Sequence, residues 1–154
     1  MSREPRLRRS SRVFLFDEHG DLLLIRFHAK RSDGPYTCWV TPGGEVEPGE
    51  SDRITAEREL LEELGIQPEL VGPVHEASGG EYEHLGEVVR NYDVFFAAQT
   101  ERAEPKLAGV TADEIALMQE ARWWTLEELK GATEPVFPVD ILVVAQAAWE
   151  RVRG

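Results

Sequence analysis

The sequence predicts a single domain of the mixed α/β class. Two observations carry that expectation: short apolar runs of strand character alternate with helical patterns, and no internal repeat or low-complexity segment interrupts them. A third supports it: 154 residues with 42% hydrophobic and 30% charged side chains suffice for one core without disulfides or structural metal.

The elements follow in order. MSREPRLRRS is basic, and residues 1–10 are expected to form a flexible tail ahead of a domain over 11–154; the five arginines of the first twelve residues read as a solvated tail, with contact to phosphates as the second reading. VFLF (Val13–Phe16) and LLLIRF (Leu22–Phe27) flank DEHGD, with Gly20 placed for a turn, and read as a β-hairpin. His28–Tyr36 is polar, contains Gly34 and Pro35, and reads as a loop. CWV is a short strand that runs into TPGGEVEPGE, a segment too rich in Gly and Pro for regular structure.

From Ser51 the pattern turns helical, with Ser51 or Asp52 as cap and Gly65 as the stop after Leu64. Leu70–His75 is a weak strand and Val88–Ala98 a stronger one, by its β-branched and aromatic content. Thr100–Gly109 is a charged loop, Thr111–Gln119 a short helix, RWWTL a strand and LEELK a helical turn. Pro138–Arg151 closes the chain as an amphipathic helix.

Charge and cysteine content exclude several classes. A formal net charge of −12 argues against nucleic acid as partner, because gripping many phosphates needs a basic face. A small phosphorylated ligand is still compatible, since a bound cation reverses the local sign. Cys38 is the only cysteine, so no internal disulfide forms and a reducing, cytoplasmic setting is expected. No apolar run approaches membrane-spanning length, and no membrane partner is expected.

The chemistry concentrates on the Ser51–Leu64 helix. At roughly 100° per residue, Glu59 and Glu63 lie about 40° apart and Glu62 about 60° to the other side of Glu59. Three carboxylates therefore share one face, with Ile54, Leu60, Leu61 and Leu64 opposite them as the expected anchor against a sheet. No lysines at i+4 answer the repulsion. A hard divalent cation would, and oxygen-only ligands favour Mg²⁺ or Mn²⁺ over zinc. A solvated acidic face is the bland alternative.

The surroundings decide between them. Gly44, five residues, Glu50, seven residues and then Arg58-Glu59-Leu60-Leu61-Glu62-Glu63-Leu64-Gly65-Ile66 resembles the Nudix box at every specified position. Gly43 and Gly44 allow close backbone approach, while Glu50 and Arg58, of opposite charge, can tie the loop to the helix.

The resemblance implies an α/β/α sandwich around a mixed sheet and hydrolysis of a nucleoside diphosphate linked to another moiety. It also implies Mg²⁺, with Mn²⁺ as a substitute. By position, Glu59, Glu62 and Glu63 would be metal-binding and catalytic carboxylates, with the Gly43 or Gly44 carbonyl as a further ligand and Glu59 as favoured base. Glu50, Arg58 and Gly65 would be structural. Some family members use a distal acid, for which Glu120 is the first candidate and Glu114 the second. Arg26 and Arg90, on strands, are candidates for the anionic substrate, and Phe137 is one of five aromatics (with Phe27, Tyr36, Trp39 and Trp124) that could stack on a base. Substrate discrimination is expected in loops, here His28–Tyr36, Ser78–Gly86 and Thr100–Ala112. Nudix dimers are frequent, so a homodimer is a candidate assembly. Two alternatives remain open: a pyrophosphohydrolase of RNA 5′ ends, and a nucleotide-sensing domain that binds without cleaving.

Overall fold

A computed structural model of the protein describes residues 4–107 and 118–154. The strands are β1 (Arg6–Phe16), β2 (Leu22–Arg31), β3 (Gly34–Val40), β4 (Gly43–Glu45), β5 (Val71–His84), β6 (Glu87–Gln99), β7 (Met118–Trp124) and β8 (Val136–Phe137). The helices are α1 (Asp52–Leu64), α2 (Leu126–Lys130) and α3 (Ile141–Arg153).

The strands form one mixed sheet in the order β5-β6-β1-β2-β3-β8, with β4 on β1 and β7 on β2. β1 and β6 run parallel from Arg6 opposite Val89 to Phe16 opposite Gln99. β1 meets β2 only where Phe16 faces Leu22, and meets β4 from Ser10 to Arg12. The sheet thus opens beside the middle of β1, which is where the Gly43–Gly44 turn enters.

Both faces are covered, which is why the strand runs are continuously apolar rather than alternating. Val13, Leu15, Leu23, Val94, Phe96 and Ala98 pack with Ala56 and Leu60 of α1. Their chain neighbours Phe14, Phe16, Leu22, Leu24, Phe95 and Ala97 pack on the other side with Leu129 of α2 and Ile141, Ala145 and Ala148 of α3. The α/β/α sandwich and the hairpin expected at Phe16–Leu22 are both present.

Four expectations are corrected. The basic segment is not a tail from Arg6 onward: it is the first half of β1, held by pairing with β6 and by Arg6–Glu87 and Arg9–Asp52 ion pairs. Most of His28–Tyr36 belongs to β2 and β3, which continue pairing to Arg31 opposite Gly34. Ser78–Gly86 likewise lies mostly in β5, which returns as β6 through Leu85 and Gly86. Met118 and Gln119 belong to β7 instead of ending a helix; the rest of the expected Thr111–Gln119 helix lies outside the described residues. Among the described residues no helix is long and apolar enough to cross a membrane.

Candidate active site

The site is built on α1. Ser51 caps its start by accepting the Ile54 N–H at 3.2 Å, and Gly65 ends it in a left-handed conformation with its N–H on the Leu61 carbonyl. The face turned inward is not the expected one. Thr55, Ala56, Leu60 and Glu63 are buried, whereas Ile54 and Leu61, expected to anchor the helix, are 53% and 46% exposed. The sheet side of α1 therefore carries carboxylates, and part of its aliphatic side faces water. Burying a carboxylate costs free energy unless it is hydrogen-bonded, so the reversal is not a packing optimum.

Glu63 is 1% exposed, and one carboxylate oxygen accepts the Gly43 N–H at 3.0 Å. Glu59 lies against Gly44: a Cβ on Gly44 would come within 2.5 Å of its Cδ and Oε1. Gly43, at φ +152°, has no room either, since a Cβ would strike the Ser11 carbonyl oxygen and lie 2.7 Å from Arg12 Cα. Both glycines are required by close approach, as the sequence led one to expect.

Arg58 organises the rest. It donates to both oxygens of Glu50 at 2.7 and 2.9 Å, to Glu59 Oε1 at 2.8 Å, to Glu62 Oε2 at 3.2 Å and to the Glu45 carbonyl at 3.2 Å. Glu50 also accepts from the Glu47 N–H and the Thr55 hydroxyl. Arg58, with these further donors, holds the Glu50 carboxyl down at about 2, and the surrounding carboxylates, Glu50 foremost, raise Arg58 above its ordinary value. Glu50 and Arg58 thus tie the β4–α1 loop to the helix.

A hard divalent cation suits this donor set: carboxylate oxygens from adjacent helix turns and a backbone turn at contact distance. Among the described residues, however, no three acidic or histidine groups already converge as a cation cage. Glu59 and Glu62 are engaged by Arg58, and Glu63 by the Gly43 N–H, so a cation would have to compete for them.

The remaining candidates are dispersed. Glu120 is exposed on β7, directly opposite Arg26 of β2. Arg26 is held by Glu134 at 3.0 and 2.6 Å, and Glu134 also accepts the Trp39 indole N–H; Arg26 in turn draws the Glu134 carboxyl below its usual range. Arg90 is exposed in β6, with Leu7 of β1 and Glu81 of β5 as its neighbours in the sheet. Phe137 is partly exposed in β8 opposite Val40. Glu114 lies outside the described residues. Cys38 is buried, and burial pushes its thiol up to about 11, so it is no nucleophile at neutral pH.

Sequence reasoning grouped Arg8 and Arg12 with the five arginines of the first twelve residues, as a solvated tail first and phosphate contacts second, and left Arg31 in a loop. A signal was available: Arg8, Ser10 and Arg12 alternate with a period of two straight into VFLF, as a strand with one polar face does.

Comparison with known proteins agrees with this architecture. The MutT protein from Methanosarcina mazei superposes with a TM-score of 0.68 over 97% of each chain at 23% identity, which defines the fold as that of the MutT-like sandwiches. The model of the NUDIX domain matches residues 6–145, and the chain belongs to the Nudix family. An RNA pyrophosphohydrolase of Roseobacter denitrificans is 41% identical over 64 residues, 42% of this chain and 38% of that one. An isopentenyl-diphosphate Delta-isomerase of Streptomyces griseus is 34% identical over 113 residues, 69% of this chain and 56% of the relative. In both cases the chain spans less than two thirds of the relative's length.

Proposed function

We propose that the protein is a divalent-cation-dependent hydrolase that cuts a pyrophosphate linkage in a small nucleotide-like molecule. The observation that carries this reading is the inward acidic face of α1: Glu63 is buried on the Gly43 N–H and Glu59 packed on Gly44, while Ile54 and Leu61 face water. Family membership supports it, and the names of the two relatives share a diphosphate group.

Glu59, Glu62 and Glu63 would hold Mg²⁺ or Mn²⁺, which when bound neutralises diphosphate charge and makes a bound water nucleophilic at neutral pH. Glu59, lining the turn, is the favoured base, and Glu120 the candidate distal acid. Arg26, paired with Glu120 on the neighbouring strand, would orient anionic substrate once released by Glu134. Because phosphoryl transfer depends mainly on positioning and charge stabilisation, no further nucleophile is required.

The test is incubation with nucleoside triphosphates, ADP-ribose, nucleotide sugars, dinucleoside polyphosphates and isopentenyl diphosphate, in Mg²⁺ or in EDTA, with products identified by mass. Cleavage of a pyrophosphate bond in Mg²⁺ alone is expected, with Glu63→Gln reduced by about 10²-fold or more while melting stays near wild type. Full activity of Glu63→Gln at saturating Mg²⁺ sinks the assignment. Rearrangement of isopentenyl diphosphate without cleavage would place the chemistry with the isomerase relative instead. A second reading, action on RNA 5′ ends, is favoured by the Roseobacter relative and opposed by the net charge of −12. Affinity for 5′-triphosphorylated RNA falling steeply with salt would support it.

A further inference from the structure

On a chain of net charge −12, one region of the sheet gathers arginines. Alternation along β1 places Arg8, Ser10 and Arg12 on the face that continues as Phe14 and Phe16 under α2 and α3. Arg12 stands opposite Gly43, and its stem lies against that glycine, within 2.7 Å of where a Cβ would be. Its guanidinium donates to the Thr41 carbonyl at 2.8 Å and lies 3.7 Å from Asp93 Oδ1. Arg8 is four residues back, about 13 Å along the strand. Its Nη1 reaches the Tyr82 hydroxyl at 3.3 Å, and its Nε, buried and without a hydrogen bond, lies 3.3 Å from Glu45 Oε1.

Arg31 arrives from the end of the β2–β3 hairpin. Its guanidinium lies 4.0 Å from the centroid of the Tyr36 ring and 5.6 Å from that of Tyr82. Its Nε is buried without a hydrogen bond, and among the described residues no carboxylate pairs with it. The Ser32 N–H donates to Glu83 at 2.6 Å, joining this hairpin to the end of β5–β6. Groups between the arginines respond to them: His84 is depressed to about 4, by burial first and Arg8 next.

Internal pairing does not exhaust this charge. Asp93 faces Arg12, and Glu45 is shared between Arg8 and Arg6, whose other partner is Glu87; Arg31 has only aromatic faces. Those faces position the guanidinium, and Arg31 occupies one face of the Tyr36 ring. A fixed guanidinium with unused donors is suited to a phosphate oxygen pair.

We propose that Arg8, Arg12 and Arg31 form a receiving site for a phosphate group of the substrate outside the linkage cut at the box. The substrate class is then a molecule with phosphate beyond a single pyrophosphate. This rests on the box being the hydrolytic centre, since Arg12 joins the two regions at Gly43.

The test measures calorimetric binding of inorganic tripolyphosphate to the full chain in EDTA, where cation-dependent binding at the box is abolished. Wild type and Lys130→Gln, a control on α2, are expected to bind alike. Arg31→Gln should weaken binding by roughly tenfold or more, as loss of charged hydrogen bonds does. Arg31→Lys, which keeps the charge but not the planar fork, should fall between them and guards against a folding defect. Wild-type affinity in both Arg31 variants, or no binding by the wild type, overturns the proposal. Orthophosphate binding as tightly as tripolyphosphate overturns it too, by indicating a free-anion site. Arg31-dependent binding in a protein that cleaves nothing in the substrate panel would uphold the phosphate site and reject the hydrolase reading.

Discussion

Replacing Gly44 by alanine separates the chemistry of the box from its architecture. Gly44 does not have the left-handed backbone that strains a side chain, so alanine is tolerated by the backbone itself. The new Cβ would, however, lie 2.5 Å from Glu59 Cδ and Oε1 and 2.8 Å from Oε2. Ordinary contact begins near 3.5 Å, so the carboxylate must retreat by about 1 Å. It is the far end of a flexible side chain, and retreat weakens its 2.8 Å bond to Arg58. A cost of about 1 kcal/mol follows, or a drop of roughly 2–4 °C in melting temperature. Misplacing a reacting group by that distance costs about 10²-fold in rate. Gly65→Ala is the mirror case: at φ +71° it strains the helix stop by about 1 kcal/mol, yet nothing lies within 4 Å of its Cβ. Melting curves and kcat/KM on both variants form the assay. The expected pattern is a large activity loss with little destabilisation for Gly44→Ala, and stability loss with activity kept for Gly65→Ala. Gly44→Ala within about threefold of wild-type kcat/KM would refute the argument that Glu59 acts from its place against the turn.

Two further predictions concern ionisation. Glu50 has its folded pKa depressed to about 2 from an ordinary 4.5, so the stability it contributes is present above 4.5 and is lost as pH falls toward 2. Melting of wild type and Glu50→Gln should therefore differ at neutral pH and converge in acid; parallel curves throughout would show that the Arg58 pairing is not what stabilises the loop. Cys38→Ala should keep kcat within about twofold between pH 7 and 9, because a thiol raised to about 11 stays neutral there. A tenfold loss that follows thiol ionisation would reinstate the cysteine as a nucleophile.

The fold was largely legible because its strands are buried on both faces: VFLF, LLLI and VFFAA are apolar without interruption, and only a sheet with helices on each side explains that. Strand lengths were not legible. Polar residues end a run by pattern, but β2 and β5 extend through His28, Ser78 and Glu81 because the backbone goes on pairing where side chains are no longer buried. The same blindness turned Arg6–Ser10 into a tail, although parallel pairing with β6 continues to Arg6.

The helix face is the more instructive miss. Amphipathic reading assigns the apolar side inward, which for α1 selects Ile54, Leu60, Leu61 and Leu64. Of these only Leu60 is fully buried, while Glu63 occupies the interior and Glu59 faces the Gly43–Gly44 turn. Hydrophobic burial alone would rotate the helix until Ile54 and Leu61 met the sheet, and several local interactions oppose that rotation. Arg58 must reach Glu50 and the Glu45 carbonyl, Gly43 must find Glu63, and Thr55 must lie beside Glu50. These contacts fix the rotation of α1 from the loop that precedes it, so the orientation is written in the spacing of Gly44, Glu50 and Arg58 and not in the hydrophobic period. A helix held against its own amphipathicity keeps Glu63 buried and Glu59 packed at a backbone turn. Burying a carboxylate while Ile54 and Leu61 face water costs free energy that hydrogen bonds must offset, which makes the arrangement a stronger pointer to chemistry than the acidic face considered alone.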